Sequence, residues 1–295
     1  KAHFCVVEKT TNDLQNLAKA YKNQFQIETI GITGSNGKTI VKEWLNFLLS
    51  PDYNIIRSPK SYNSQVGVPL SVIAINEHHN LGIFEAGIST RNEMENLEMI
   101  IKPTIGLLTN IGSAHDEGFS NIGEKIKEKL KLFQNTEILI YNKNKTIDAF
   151  IDAKIKTFTW SSKDGSADVF IIIKSILNKT ILQIRYQEAQ FDIKIPFQDD
   201  ASIENAIQCM MVMLYFGYDY QTIESRMELL FPVEMRLQIK TGINNTVLID
   251  DSYSSDFQSL KIALDFLESQ KFHKKKTLIL SDIFQSGLPT EELYS

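Results

Sequence analysis

Between residue 29 and about residue 160, apolar runs of strand length alternate with stretches of helical spacing, and this alternation limits the fold more than any other feature of the chain. Parallel strands need a crossover, and a helix is the usual one, so the pattern predicts an α/β fold: a P-loop-type parallel sheet with helices on both faces. The expected strands are Glu28 to Thr33, Leu81 to Glu85, Ile105 to Asn110 and Glu137 to Tyr141. Helical spacing lies between them in KTIVKEWLNFLLS, NEMENLEMII and IGEKIKEKLKLF. From Asp168 to Phe197 the texture turns β-rich and alternating, which predicts an antiparallel subsheet with Asn178-Lys179 as a turn. A long apolar helix follows in SIENAIQCMMVMLYFG, its methionines reading as core fillers. Around Pro232 the pattern restarts with a strand (Thr246 to Asp250), a helix (Phe257 to Ser269) and another strand (Lys276 to Leu280), as at the start of a second α/β domain. The opening AHFCVVE reads as a strand entered midway, so the chain is expected to be a fragment.

The 295 residues exceed one typical domain, and 43% hydrophobic residues suffice for a proper core. A net charge of -5 argues against a nucleic-acid or anionic-membrane surface but leaves room for a local basic pocket. No apolar run approaches the roughly 18 residues of a membrane span. Cys5 and Cys209 have no metal-ligand spacing and read as reduced thiols of a soluble, cytoplasmic protein.

The stretch GITGSNGKT resembles a phosphate-binding loop with a displaced glycine. Counting back from Gly37-Lys38-Thr39, Ile32 stands where G-x-x-x-x-G-K-[ST] has its first glycine, and Gly31 comes one residue early. The alternation of TIGIT runs through Gly31, which assigns it to the strand and leaves Thr33, Gly34, Ser35, Asn36 and Gly37 as the loop. Glycines that let backbone N–H groups approach, a helix N-terminus, a lysine for the β and γ oxygens and a hydroxyl for Mg²⁺ are what a triphosphate needs. In an open α/β sheet ligands gather at the carboxyl ends of strands. There the sequence places Glu85, Asn110 and, shortly after, His115, so a metal–phosphate site is expected. On the next helix Ile122, Ile126, Leu130 and Phe133 form one stripe at about 100° per residue. Of Lys125, Lys127, Lys129 and Lys131, Lys129 lies closest to it.

GITGSNGKT, SYNSQVGVPLS, EAGIS, TNIGSAHDEGF, ENAI and VLIDDSYSSD occur in the order seen in the Mur ligases, ATP-dependent amide-forming enzymes of peptidoglycan precursor synthesis, and the chain resembles that family along essentially its whole length. GVPLS and IDDSYSSD are most similar to the member that joins D-alanyl-D-alanine to UDP-N-acetylmuramoyl-tripeptide, and RSPKSYNSQVGVPLS and TNIGSAHDE are similar to the version fused ahead of an alanine racemase. The resemblance implies that Lys38 and the amides of Gly34, Ser35, Asn36 and Gly37 hold the phosphates, and that Thr39 and Glu85 hold one Mg²⁺. It implies a second Mg²⁺ at His115 and a carbamylated lysine, which in the tripeptide-forming members follows the histidine by fourteen residues and is here Lys129. Asn63 matches an asparagine near the γ phosphate, Asn205 one near adenine, Arg236 an arginine reaching the phosphates, and Asp251 a ribose-binding acid. The chain departs from the family at Ser64, at Ala201-Ser202 and at Ser254. The implied domains are the tail of a UDP-substrate domain (1–28), a central ATP-binding domain (29–233) and an incomplete Rossmann-like domain (234–295). Other Mur-type or folylpolyglutamate-synthase-like ligases, and a non-catalytic nucleotide-binding module, are the competing readings.

Overall fold

The computed structural model describes residues 6–112, 119–176, 179–253, 257–270 and 275–283. Helix α1 (Thr10–Lys22) leads into β1 (Glu28–Thr33), and then come α2 (Lys38–Leu49), β2 (Ile55–Arg57), α3 (Gly67–Ile73), β3 (Leu81–Glu85), α4 (Met94–Ile101) and β4 (Ile105–Leu108). After α5 (Ile122–Leu130) and a 3-10 turn (Lys131–Phe133) follow β5 (Ile138–Asn142), α6 (Lys145–Asp148), β6 (Thr157–Ser161), β7 (Val169–Ile176), β8 (Lys179–Tyr186) and β9 (Ala189–Ile195). Helices α7 (Asp200–Tyr215) and α8 (Tyr220–Met227) return across the sheet, and β10 (Gln238–Thr241), β11 (Val247–Asp250) and α9 (Phe257–Ser269) end the described elements.

Nine strands form one sheet in the order β2-β3-β1-β4-β5-β6-β7-β8-β9. Pairing is parallel from β2 through β7 and antiparallel for β7-β8-β9. The expected antiparallel subsheet is therefore a continuation of the parallel sheet: Trp160 of β6 pairs with Val169 of β7. Lys179 belongs to β8, opposite Ile176, rather than to a turn, while Asn178 lies outside the described residues.

Strand alternation sends side chains to two cores. Ile30, Ile32, Leu81, Ile83, Ile105 and Leu107 pack with Val41, Trp44 and Leu45 of α2 and Ile203, Ile207 and Met210 of α7. Phe84, Leu108 and Leu139 face α1, α3, α4 and α5 through Ala18, Val72, Leu97 and Ile126. Gly31 is strand, as its alternation requires: a Cβ there would stand 2.8 Å from Pro103 Cβ, so the glycine lets the entry to β4 pack on β1. Cys209 is buried, and its burial pushes the thiol pKa well up; Cys5 lies outside the described residues. Among the described residues no helix is long and apolar enough to cross a membrane.

Several expectations need correction. Strands β2 and β6 were not anticipated, because three residues (Ile55–Arg57) are too few to show a period, and TFTWS mixes polar and apolar residues. Strand β4 ends at Leu108 rather than Asn110, because Thr109 and Asn110 turn toward the loop after β1. Residues 276–280 form no strand: β11 pairs with β10 in a hairpin, Ile279 is 90% exposed, and an apolar run without a neighbouring ladder has nothing to hold it extended. Val6 and Val7 belong to no strand, and residues 1–5 of the expected opening strand lie outside the described residues. Ile122, placed on the buried stripe of α5, is exposed in its first turn, whereas Ile126, Leu130 and Phe133 are buried.

Gly31→Ala is expected to lower the unfolding free energy by about 1–3 kcal/mol, the usual cost of overpacking, measured by urea denaturation.

Candidate active site

Strand β1 lies between β3 and β4, and chain direction across the sheet switches at that point. Loop 34–37 leaves its carboxyl end, in the crevice where open α/β sheets take ligands. Gly37, with φ +84, is the N-cap of α2, and no side chain caps that helix end. A helix N-terminus left uncapped presents backbone donors and partial positive charge to an anion. A Cβ on Gly37 would run into the carboxamide of Asn205, which is buried on α7, so Asn205 stands directly against the loop.

The rest of the loop is bonded to the segment after β4. Asn110 accepts Ser35 N through its carbonyl at 2.8 Å and Asn36 N through Oδ1 at 3.0 Å, and Thr109 Oγ1 donates to Asn36 O at 2.6 Å. Ser35 Oγ donates to Gly112 O at 3.2 Å and accepts Gly112 N at 2.8 Å. Two of the amides expected to face phosphate, Ser35 N and Asn36 N, are thus engaged by Asn110. Lys38 Nζ folds back onto Gly34 O at 2.9 Å and Ser35 O at 3.0 Å.

Glu85, the last residue of β3, has 0% exposure. Its Oε2 accepts a hydrogen bond from Thr39 Oγ1 at 3.1 Å, and Thr39 Oγ1 is also 2.8 Å from Ser61 Oγ. Lys42 Nζ lies 3.1 Å from Glu85 Oε1, an ion-pair distance, but its hydrogen bonds go to Ser58 O and Lys60 O, so the buried Oε1 accepts none. A buried carboxylate oxygen without a hydrogen bond, beside a hydroxyl, is a donor set of the kind Mg²⁺ takes, and Thr39 and Glu85 fit that ion. His115 lies outside the described residues, and among the described residues no three His, Cys, Asp or Glu side chains cluster as a metal site.

Lys129 is 2% exposed and donates to Gly34 O at 2.9 Å, which brings it to the same loop carbonyl as Lys38. Burial first, then the charges of Lys38 and Lys125, holds its pKa well below the lysine range. Lys125, one turn earlier on α5, is equally buried and donates to Gly112 O, which the stripe reading missed. Lys38 and Lys129 open onto a cavity of about 330 Å³, whose walls include Asn63, Gln65, Ser89 and Glu93. Gly87 N donates to Asn63 O at 2.8 Å, fixing Asn63 at the end of β3. Glu93 Oε2 accepts the amides of Ser89 and Thr90 at 2.7 and 2.9 Å.

The structure thus brings Gly34, Ser35, Asn36, Gly37, Lys38, Thr39, Asn63, Glu85, Lys129 and Asn205 together. In the C-terminal segment Arg236 stacks over Tyr253 at 4.3 Å, and Asp251 accepts Leu237 N at 3.1 Å, contacts that join the two ends of the β10–β11 hairpin. Lys42, Ser61 and Lys125 were not singled out from the sequence. Lys42 was detectable there: it lies between Val41 and Leu45 of an apolar helix face, four residues after the loop lysine.

The fold is a mostly parallel α/β sheet with a phosphate-binding type of loop at its switch point. A family model described as the Mur ligase middle domain matches residues 32–213, well over half of the chain, and the chain belongs to that family. The UDP-N-acetylmuramoyl-tripeptide–D-alanyl-D-alanine ligase of Bacillus subtilis (strain 168) is 26% identical over 287 residues, covering 96% of this chain and 62% of its own length. MurF from Acinetobacter baumannii matches with a TM-score of 0.83 at 22% identity, over 96% of this chain and 63% of that one. A MurF ligase from Thermotoga maritima in complex with ADP matches at 0.76 and 21%, over 90% and 62%. The chain therefore spans less than two thirds of the length of each of these relatives.

Gly37→Ala is expected to weaken nucleotide binding at least about tenfold, since the new methyl both disfavours the left-handed backbone and displaces Asn205; calorimetric titration with ADP reads the loss.

Proposed function

We propose that the chain is the ATP-using core of an amide ligase that joins D-alanyl-D-alanine to UDP-N-acetylmuramoyl-tripeptide. The observation that carries the reading is one strand edge holding the loop lysine, the Thr39–Glu85 pair with its unbonded buried oxygen, and a cavity open to Lys38 and Lys129. Support for the substrates comes from the B. subtilis relative, whose name specifies them. In the proposed division, residues 1–28 belong to a UDP-substrate domain, 29–233 to the ATP-binding domain and 234–295 to a Rossmann-like closing domain, with Arg236 and Asp251 reaching the nucleotide on closure.

A carboxylate does not acylate an amine at neutral pH, because its oxygen is too poor a leaving group. The γ-phosphoryl of ATP passes to the tripeptide carboxylate, giving an acyl phosphate and ADP. The amine of D-alanyl-D-alanine attacks the acyl carbon, and the collapsing tetrahedral adduct expels phosphate. Lys38 leaves the carbonyls of Gly34 and Ser35 to meet the phosphate, and the uncapped amides of α2 take its oxygens. The cavity beside Lys38 and Lys129 holds the carboxylate in line with the γ phosphate. Thr39 and Glu85 would hold one Mg²⁺, and His115 and Lys129 a second, ions that would supply positive charge to offset the meeting of two anions.

Lys129 is proposed to act as its carbamate. A neutral, buried amine adds to CO₂ and loses a proton, which replaces a cation that the site cannot solvate with an anionic ligand.

Phosphate release by the gene product that carries this chain, supplied with ATP, tripeptide and D-alanyl-D-alanine, tests the assignment, and loss of the signal when other amines replace D-alanyl-D-alanine is expected. Lys129→Ala is expected to cut that rate by about a hundredfold or more, with partial recovery when bicarbonate and a small carboxylate are added. Unchanged activity in the variant contradicts the carbamate. The 295-residue chain alone is expected to bind Mg-ATP weakly and to turn over negligibly, as single-turnover product analysis would show.

A further inference from the structure

The most buried lysine of the site has no part in the ligase reading. Lys42 sits one helical turn after Lys38 with 0% exposure. Four oxygens surround its ammonium: Glu43 Oε1 at 3.0 Å, Glu85 Oε1 at 3.1 Å, Ser58 O at 2.8 Å and Lys60 O. Two of them belong to the strap that runs from β2 to α3 and carries Ser61 and Asn63. Lys60 has φ +48, a left-handed backbone that a lysine adopts at a cost, and its carbonyl is one of the four. The next residue but two, Asn63, lines the cavity beside Lys38, and Ser61 Oγ stands 2.8 Å from Thr39 Oγ1.

We propose that Lys42 is a positioning residue: its ammonium ties the 58–63 strap to α2 and to Glu85, and so holds Ser61 and Asn63 where the γ phosphate of ATP arrives. The inference rests on the ligase reading and deepens it. The charge belongs inside because three separate pieces of chain, α2, β3 and the strap, each present an oxygen to it. A neutral side chain of the same length would fill the space but hold none of them. The loop and Asn205, by contrast, do not touch Lys42, so contacts to the β phosphate do not depend on it. Lys42 therefore serves discrimination between a triphosphate and a diphosphate.

The test is calorimetric titration of the complete gene product, wild type and Lys42→Met, with Mg-ADP and with a non-hydrolysable Mg-ATP analogue. The variant is expected to bind the triphosphate analogue about tenfold more weakly and ADP within about twofold of wild type. A general loosening of the fold would lower the active fraction or weaken both ligands alike, and would leave their ratio unmoved. Equal weakening, or wild-type binding of both, overturns the proposal. Ser61→Ala perturbs the strap without stranding a buried charge and stands as the second variant should Lys42→Met fail to fold. It is expected to weaken the triphosphate analogue by about threefold with ADP unchanged, and to add nothing in the Lys42→Met background. An unaltered ratio in Ser61→Ala overturns the proposal as well. Failure of the wild-type protein to bind either nucleotide would strike the ligase reading instead.

Discussion

A carboxylate with no exposure to water, Glu85, is set at the end of the central parallel sheet, and the neighbouring structure is arranged around compensating it. Leaving such a group unpaired costs several kcal/mol, so partners must be brought to it. Thr39 comes from the first turn of α2, Lys42 from its second, and Ser58 Oγ takes the Glu85 backbone N–H at 3.2 Å. The helix that follows the loop, the strand that ends in the acid and the strap from β2 are thereby locked in one arrangement. Trp44 extends the lock across the sheet, stacking on Phe197 at 4.7 Å and donating to Phe231 O at 2.8 Å.

The opposite side of the loop is governed by lysines rather than acids. Lys38 and Lys129 both donate to Gly34 O, and Lys125 reaches Gly112 O close by. Burial first, and then the charges of Lys38 and Lys125, depress the pKa of Lys129, and the repulsion disfavours a third cation beside them. An anion arriving at the loop relieves it. Glu85 and the basic trio stand on either side of one short loop, which is how a chain with a net charge of -5 can carry a local basic pocket.

Much of this was legible in the sequence, for reasons that differ by residue. β1 and β3 showed at their observed bounds because each is buried on both faces and bounded by polar residues. Glu85 followed from being the polar end of such a strand. Gly31 was separable from the loop because its alternation fits the strand, and the 2.8 Å approach of Pro103 supplies the reason for a glycine. Lys129 was found by its place beside an apolar stripe, but Lys125, equally buried, was not: what buries it is the segment after β4, a contact between distant parts of the chain that no local period encodes. Lys42 was detectable from its place between apolar residues of α2, but its partners were not, since three of its four oxygens come from residues 16 to 43 positions away. The apolar run at 276–280 misled in the other direction, because a strand needs a neighbouring stretch of chain to pair with, and among the described residues this run pairs with none.

What the site lacks is as informative as what it has. Two buried polar atoms near Lys38 make no hydrogen bond: Asn36 Nδ2, a donor, and Glu85 Oε1, an acceptor. The rest of Asn36 is satisfied, its N–H by Asn110, its carbonyl by Thr109 and its Oδ1 by Ser259 of α9 at 3.2 Å. Native interiors rarely leave such groups unmet, and each unmet one costs about 1–3 kcal/mol. Glu85 Oε1 already has the Lys42 ammonium 3.1 Å away, whereas Asn36 Nδ2 has no acceptor, a demand that an oxygen-rich anion at the loop would meet.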